Sequence, residues 1–287
     1  MYSFTLREKL LAGSCVAAVA AIVLIGAVTT APVAAQQTAA PPNFSSAQYG
    51  WVRVGQGGPD FDVVPGTIPP VTNDPAHPFV GNGTREQPTY RIADLANANL
   101  KPWVKERLKK DNDEVLAGKI AFTARQSCLP AGVPGFMAYG GPTPLYFLQT
   151  PKEVWMIFEG DHQVRRVFMD VPHSEHPTLS WYGESVGHYE GDTLVIDTIA
   201  QNTKTVVDLY RTPHTEKLHV VERWKMTNDG KGLESTFVVD DPDSFNQPWT
   251  GKRRYRRVDE AMAEDVCAEN NLHLFDYGIP VANKPDF

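Results

Sequence analysis

Between residues 128 and 258 the chain is a succession of short runs dense in aromatic and β-branched residues, at 145–149, 154–159, 164–170, 185–190, 193–199, 218–227, 233–239 and 252–258. Gly, Asp, Asn or Pro separates most neighbours. Gly160-Asp161, Gly191-Asp192 and Asn228-Asp229-Gly230 read as hairpin loops, because these residue types accept the left-handed backbone of tight turns. No helical stretch of convincing length lies between the runs, which argues against a parallel α/β sheet. The expected fold is all-β, an antiparallel up-and-down barrel or strongly curved meander of about eight strands.

The hairpin at 185–199 says most about a site. If Gly191-Asp192 is its loop, Glu190 faces Thr193, His188 faces Val195 and Val186 faces Asp197. One face then carries Tyr189, Leu194 and Ile196, the other His188, Glu190 and Asp197. Such a sheet is either half-solvated or a barrel wall beside a polar site.

The N-terminus reads as an export signal over residues 1–35. Arg7 and Lys9 precede an apolar run at 10–28, and Val33-Ala34-Ala35 is a small-residue cleavage site before Gln36. An uncleaved anchor is the alternative. The expected location is periplasmic or secreted. Net charge is −7, and losing Arg7, Lys9 and Glu8 takes it to −8. An acidic chain of this kind is a poor partner for nucleic acid, and none is expected for a membrane surface after cleavage. Cleavage leaves Cys128 and Cys267, which in an oxidising compartment are expected to pair. Closing so long a loop is worth roughly 5 kcal/mol as an upper figure.

Residues 36–90 are rich in Pro, Gly, Asn and Ala and read as an extended or poorly ordered arm. Residues 91–120 carry a helical cap of one or two helices: Pro102 suits a first helical position, and Trp103, Val104 and Leu108 recur at helical spacing. The barrel domain then spans 121–287, with 261–271 as a possible helix bearing Cys267.

Several motifs stand in order: VFMDVPHSEHPTLSWYGESVGHYEGDTLVIDTIA, PHTEKLHVVERWKM, DDPDSFNQPWT and EDVCAENN. Over residues 128–271 the chain resembles a large group of exported bacterial proteins that are mostly uncharacterised. The resemblance implies an exported, lipocalin-like β domain and assigns no catalytic residue. Where that group carries Gly-Arg after Met169-Asp170, this chain has Val171.

Four constellations are candidates for chemistry. His188, with Glu190 or Asp197 orienting it, has the makings of an acid–base site, or is a solvated face. Glu222 sits mid-strand among Leu218, Val220, Trp224 and Met226, so it needs a partner or a raised pKa. It is either a proton-transfer group or half of an ion pair, with an arginine of 252–257 as one possible partner. PHSEHP brings His173, Glu175 and His176, and PHTE brings His214. These loops sit where ligands enter barrels, but no metal spacing is fixed. Trp181, Tyr182, Trp224, Trp249 and Phe245 line a pocket or fill a core. No GxSxG elbow, phosphate loop or dinucleotide fingerprint occurs, and no cofactor or metal is expected. Two functions remain open. One is binding of a small hydrophobic or aromatic molecule. The other is cofactor-independent lyase, hydratase or hydrolase action on such a molecule.

Overall fold

The computed structural model describes residues 40–45, 48–55, 60–79, 91–119, 128–138, 143–160 and 163–266. The expected signal and Cys267 lie outside these. Cys128 is described and takes part in a disulfide. No described helix is long and apolar enough to cross a membrane.

The strands are β1 (Gly50–Arg53), β2 (Asp62–Val63), β3 (Leu145–Gln149), β4 (Glu153–Phe158), β5 (Gln163–Met169), β6 (Glu184–Glu190), β7 (Thr193–Ile199), β8 (His219–Thr227), β9 (Gly232–Asp240) and β10 (Trp249–Val258). Two helices, α1 (Pro102–Leu116) and α2 (Gly135–Ala138), precede β3. The order from β3 to β10 follows the sequence, and β1 pairs with both β3 and β10, so nine strands close a barrel. β2 pairs with β10 beyond β1 on the same edge. The strand that closes the barrel therefore comes from the Pro/Gly-rich segment read as an arm. One step is parallel: β5 and β6 pair from Val167↔Ser185 to Met169↔Gly187. Residues 170–183, interrupted by Pro172 and Pro177, carry the chain back before β6 begins.

Alternation explains the wall. In β5 the buried residues are Gln163, Arg165, Val167 and Met169, and the outward ones are exposed. The same period puts Val220, Glu222 and Trp224 of β8 inside. The lumen is packed with side chains. Phe147, Trp224, Phe237, Trp249 and Tyr255 all point inward and are buried. From one side the arm adds Phe44, whose ring lies 5.4 Å from Phe147, held by Gln149 Oε1 accepting from the Phe44 N–H at 2.6 Å. Residues 131–138 are all buried and form a plug. Its Phe136 stacks on Trp224 at 6.4 Å. Gln201 clamps the plug by accepting from Val133 N–H (2.7 Å) and donating to Val133 O (2.9 Å). At Gly135 a Cβ would sit 2.5 Å from Val206 O, so only glycine lets the plug approach this closely.

Within the expected cap there is one helix, with Pro102 in its first turn. Val104, Leu108, Asn112 and Val115 form its buried stripe. The Asn112 side chain both accepts from and donates to the Ala93 backbone at 2.9 Å, which fixes α1 to the chain before it. Residues 261–266 are not helical.

Candidate functional site

The β6–β7 hairpin has the register its turn dictates: Glu190↔Thr193, His188↔Val195 and Val186↔Asp197. Gly191 supplies the turn's left-handed backbone at φ 60°. Tyr189, Leu194 and Ile196 face the core, and His188, Glu190 and Asp197 face outward. His188 is 52 % exposed, and its Nε2 lies 3.1 Å from Glu190 Oε1. Arg223 on β8 donates to the other Glu190 oxygen. Hydrogen bonds from Arg223 and His188 hold the Glu190 carboxyl below its ordinary range.

Asp197 is not engaged by His188. Two other imidazoles meet it: His219 Nε2 lies 2.8 Å and His173 Nε2 3.0 Å from Asp197 Oδ1. The second nitrogen of His173 lies 3.0 Å from Glu184 Oε1, and Glu184 also accepts from Ser174 N–H (2.8 Å) and Oγ–H (2.7 Å). The PHSEHP loop is thus pinned to the outer wall by its histidine and serine. Partial burial pushes the Asp197 carboxyl up, but the hydrogen bonds from His219 and His173 outweigh it, and the net shift is downward. The hydrogen bond to Asp197 raises His219 above its ordinary 6.5.

The raised His219 stabilises the fold below the unfolded histidine pKa, and that contribution is lost as pH rises through the folded value. The lowered Asp197 stabilises above the unfolded carboxylate pKa, and that contribution is lost as pH falls through its folded value. Both act together between roughly pH 4 and 6.5, the two unfolded values. Following the His219 ring by NMR, its titration midpoint lies above 6.5 in the native protein and drops in Asp197→Asn. An unchanged midpoint in that variant would contradict the pairing.

Glu222 lies on the opposite side of the wall from His188, fully buried in the lumen. Its partner is Arg165, which is 3 % exposed. Arg165 donates to Glu222 and also to Thr198 Oγ1 (2.7 Å) and Ser185 Oγ (3.2 Å), and these two hydroxyls bond each other at 2.9 Å. Trp224 Nε1–H donates to the other Glu222 oxygen at 3.2 Å. Every polar group of this network has a partner, and the guanidinium lies 5.4 Å from the Phe136 ring. The arrangement is a closed ion pair.

His214 is buried, with Nδ1 2.9 Å from Thr215 O and Nε2 2.8 Å from Thr205 Oγ1. A carbonyl only accepts, so Nδ1 carries the proton and Nε2 accepts from the threonine. Burial lowers its pKa, and both nitrogens are used. It forms part of a groove of about 580 Å³ with Trp103, Lys217 and Asp243. His173 and His214 therefore serve different places. Among the described residues no three His, Cys, Asp or Glu side chains are placed to hold a metal ion.

The aromatics divide. Trp224 packs on Phe136, Phe147 and Tyr255, and Trp249 packs on Phe61, Phe237 and Phe245, all inside the core. Trp181 and Tyr182 are half-buried and line a cavity of about 410 Å³ with Val164, Arg165, Arg166, Phe168 and Gln163. Tyr182 donates its hydroxyl to Gln163 Oε1 at 2.6 Å, which fixes that wall. The Arg166 guanidinium lies 5.0 Å from the Phe168 ring and donates to Glu153 at 2.7 Å. Tyr182 also meets the plug edge-on, at 6.5 Å from Phe136.

Sequence reasoning overlooked Arg165, Gln163, Arg166 and His219. A signal for Arg165 existed: two adjacent arginines in a period-two strand must point to opposite faces, so one of them had to enter the barrel. Comparison with known proteins finds no matching family model, no matching curated protein and no matching solved structure.

Proposed function

We propose that this protein is an exported barrel, periplasmic or secreted, that binds a small flat aromatic molecule in the groove beside Trp181 and Tyr182. One observation carries the reading: two aromatic residues singled out from the sequence meet in a cavity of about 410 Å³. Phe168 and Val164 add apolar wall, and Gln163 and Arg166 add polar edge. Such a mixture, mostly apolar with a few placed polar groups, is what small-molecule sites use. The Arg166 guanidinium at the rim suits a ligand with a negative substituent. The motif resemblance to exported bacterial β proteins supports the location. Joint acid–base catalysis by Glu222 and His188 finds no support, because one faces the lumen and the other the outer surface. Binding is therefore favoured over turnover.

Titration with anilinonaphthalene sulfonate, a flat aromatic anion, tests the reading by fluorescence. Trp181→Ala is expected to weaken binding about tenfold, near 1.4 kcal/mol, while changing the melting temperature little, because Trp181 lies outside the core. His188→Ala serves as the control, since that exposed residue neither lines the groove nor bonds a residue that does. Equal affinity in the native protein and Trp181→Ala would place the dye elsewhere and remove the proposal.

A further inference from the structure

A second buried cluster lies apart from the groove. Arg53 of β1 and Arg253 of β10 both point into the barrel and are buried. Arg53 Nη1 donates to Ala138 O at 2.7 Å and Arg253 Nε to Met137 O at 3.1 Å, so both grip the end of the plug. Beside them Arg91, also buried, forms an ion pair with Asp60. Asp60 feels all three guanidiniums, and its Oδ2 accepts from Leu209 N–H at 2.6 Å. Three buried cations thus share one carboxylate that is paired directly.

The unsatisfied atoms agree with that surplus. Arg253 Nη2, Arg91 Nη1 and the Tyr210 hydroxyl are buried and have no hydrogen-bond partner among the described residues. The same holds for Ser235 Oγ, directly opposite Arg253 across the β9–β10 ladder. Asp60 Oδ1, the carboxylate atom in the same position, faces Arg91 as an ion pair without an aligned hydrogen bond. The unpartnered guanidinium nitrogens can only donate, the two hydroxyls can donate as well, and positive charge is in excess. Buried cations are tolerated when paired, and an unpaired one drives the uptake of a counter-charge. Two other carboxyls lie nearby: Asp62 is paired with Arg254, and burial and the neighbouring Asp60 hold Asp208 up at about 7, so it offsets the surplus only in part at neutral pH. Its oxygens are already taken by Thr212 N–H at 3.0 Å and Thr212 Oγ–H at 2.7 Å.

We infer that this cluster is a binding site for a small carboxylate anion, taken up by the free Arg253 and Arg91 donors with Tyr210 and Ser235 completing its shell. The planar guanidinium fork matches a carboxylate better than a spherical ion. The site is separate from the Trp181 groove and stands whether or not that groove binds an aromatic.

Thermal melts of the full chain in rising sodium formate, against sodium chloride and sodium sulfate at matched ionic strength, test it. A ligand that binds only the folded state raises the melting temperature and saturates as its site fills. The expected result is a saturating rise specific to formate, at least halved in Tyr210→Phe and abolished in Arg253→Gln. If Arg253→Gln fails to fold, Tyr210→Phe decides, because it removes one hydroxyl and keeps the ring. An equal response to all three salts, or a formate response that persists in Tyr210→Phe, would overturn the inference.

Discussion

Glu222→Gln is expected to cost about 3–5 kcal/mol of folding stability, the usual penalty for leaving one member of a buried ion pair without its counter-charge. The side chain keeps its shape, and Trp224 Nε1–H still finds an amide oxygen. Arg165 loses the only carboxylate bonded to it among the described residues, while it remains 3 % exposed in a lumen of aromatic rings. Thr198 and Ser185 still accept from it, but hydroxyls do not balance a charge. Urea unfolding measures the cost, and a double-mutant cycle assigns it. Arg165→Met combined with Glu222→Leu should be clearly more stable than either single variant, since replacing both charges by apolar groups removes the desolvation penalty as well. A single-variant cost below about 1 kcal/mol would be typical of an exposed pair and would contradict the burial.

That ion pair also marks where sequence reasoning stops. Strand positions and the β6–β7 register were legible because turn chemistry and period-two alternation are local properties. Residues 193–199 and 145–149 were read with the bounds they have in the structure. Glu222 was legible as an anomaly, a carboxylate on an apolar face. Its partner was not, because Arg165 lies 57 residues away and only closure of the barrel brings them together. β1 was hidden for a similar reason. Gly50–Arg53 is four residues long inside a Pro/Gly-rich stretch, and its pairing with β10 is a long-range choice that no local propensity announces. Trp181 and Trp224 looked alike in the sequence. The difference is that Trp224 sits mid-strand facing the lumen, whereas Trp181 lies within the 170–183 crossover that precedes β6, where the chain is not yet committed to the sheet. His219 went unread because its role depends on Asp197, which stands opposite Val221 and so meets His219 diagonally across β7 and β8, on the outer side of the wall.

Phe136→Ala is expected to destabilise the fold by about 3–5 kcal/mol, as truncation of a buried phenylalanine does when its surroundings relax only partly. The residue touches three systems at once. Its ring stacks on Trp224, meets Tyr182 edge-on and lies under the Arg165 guanidinium. The plug is clamped by Gln201 and held at its end by Arg53 and Arg253, so the backbone has little freedom to collapse into the gap. Phe136→Leu, which refills most of the volume, should recover more than half of the loss. The truncation also changes binding, because Tyr182 is shared between the plug contact and the groove wall. Removing the ring extends the groove inward toward Trp224. Anilinonaphthalene sulfonate should therefore bind Phe136→Ala more tightly than the native protein at temperatures where both are folded. A plug that behaved as a detachable lid would give a different pair of results: a loss under about 1 kcal/mol, typical of surface substitutions, and dye affinity unchanged. The combination of a large stability loss with a gain in dye affinity follows only if Phe136 is the partition between a packed lumen and a groove that opens onto it.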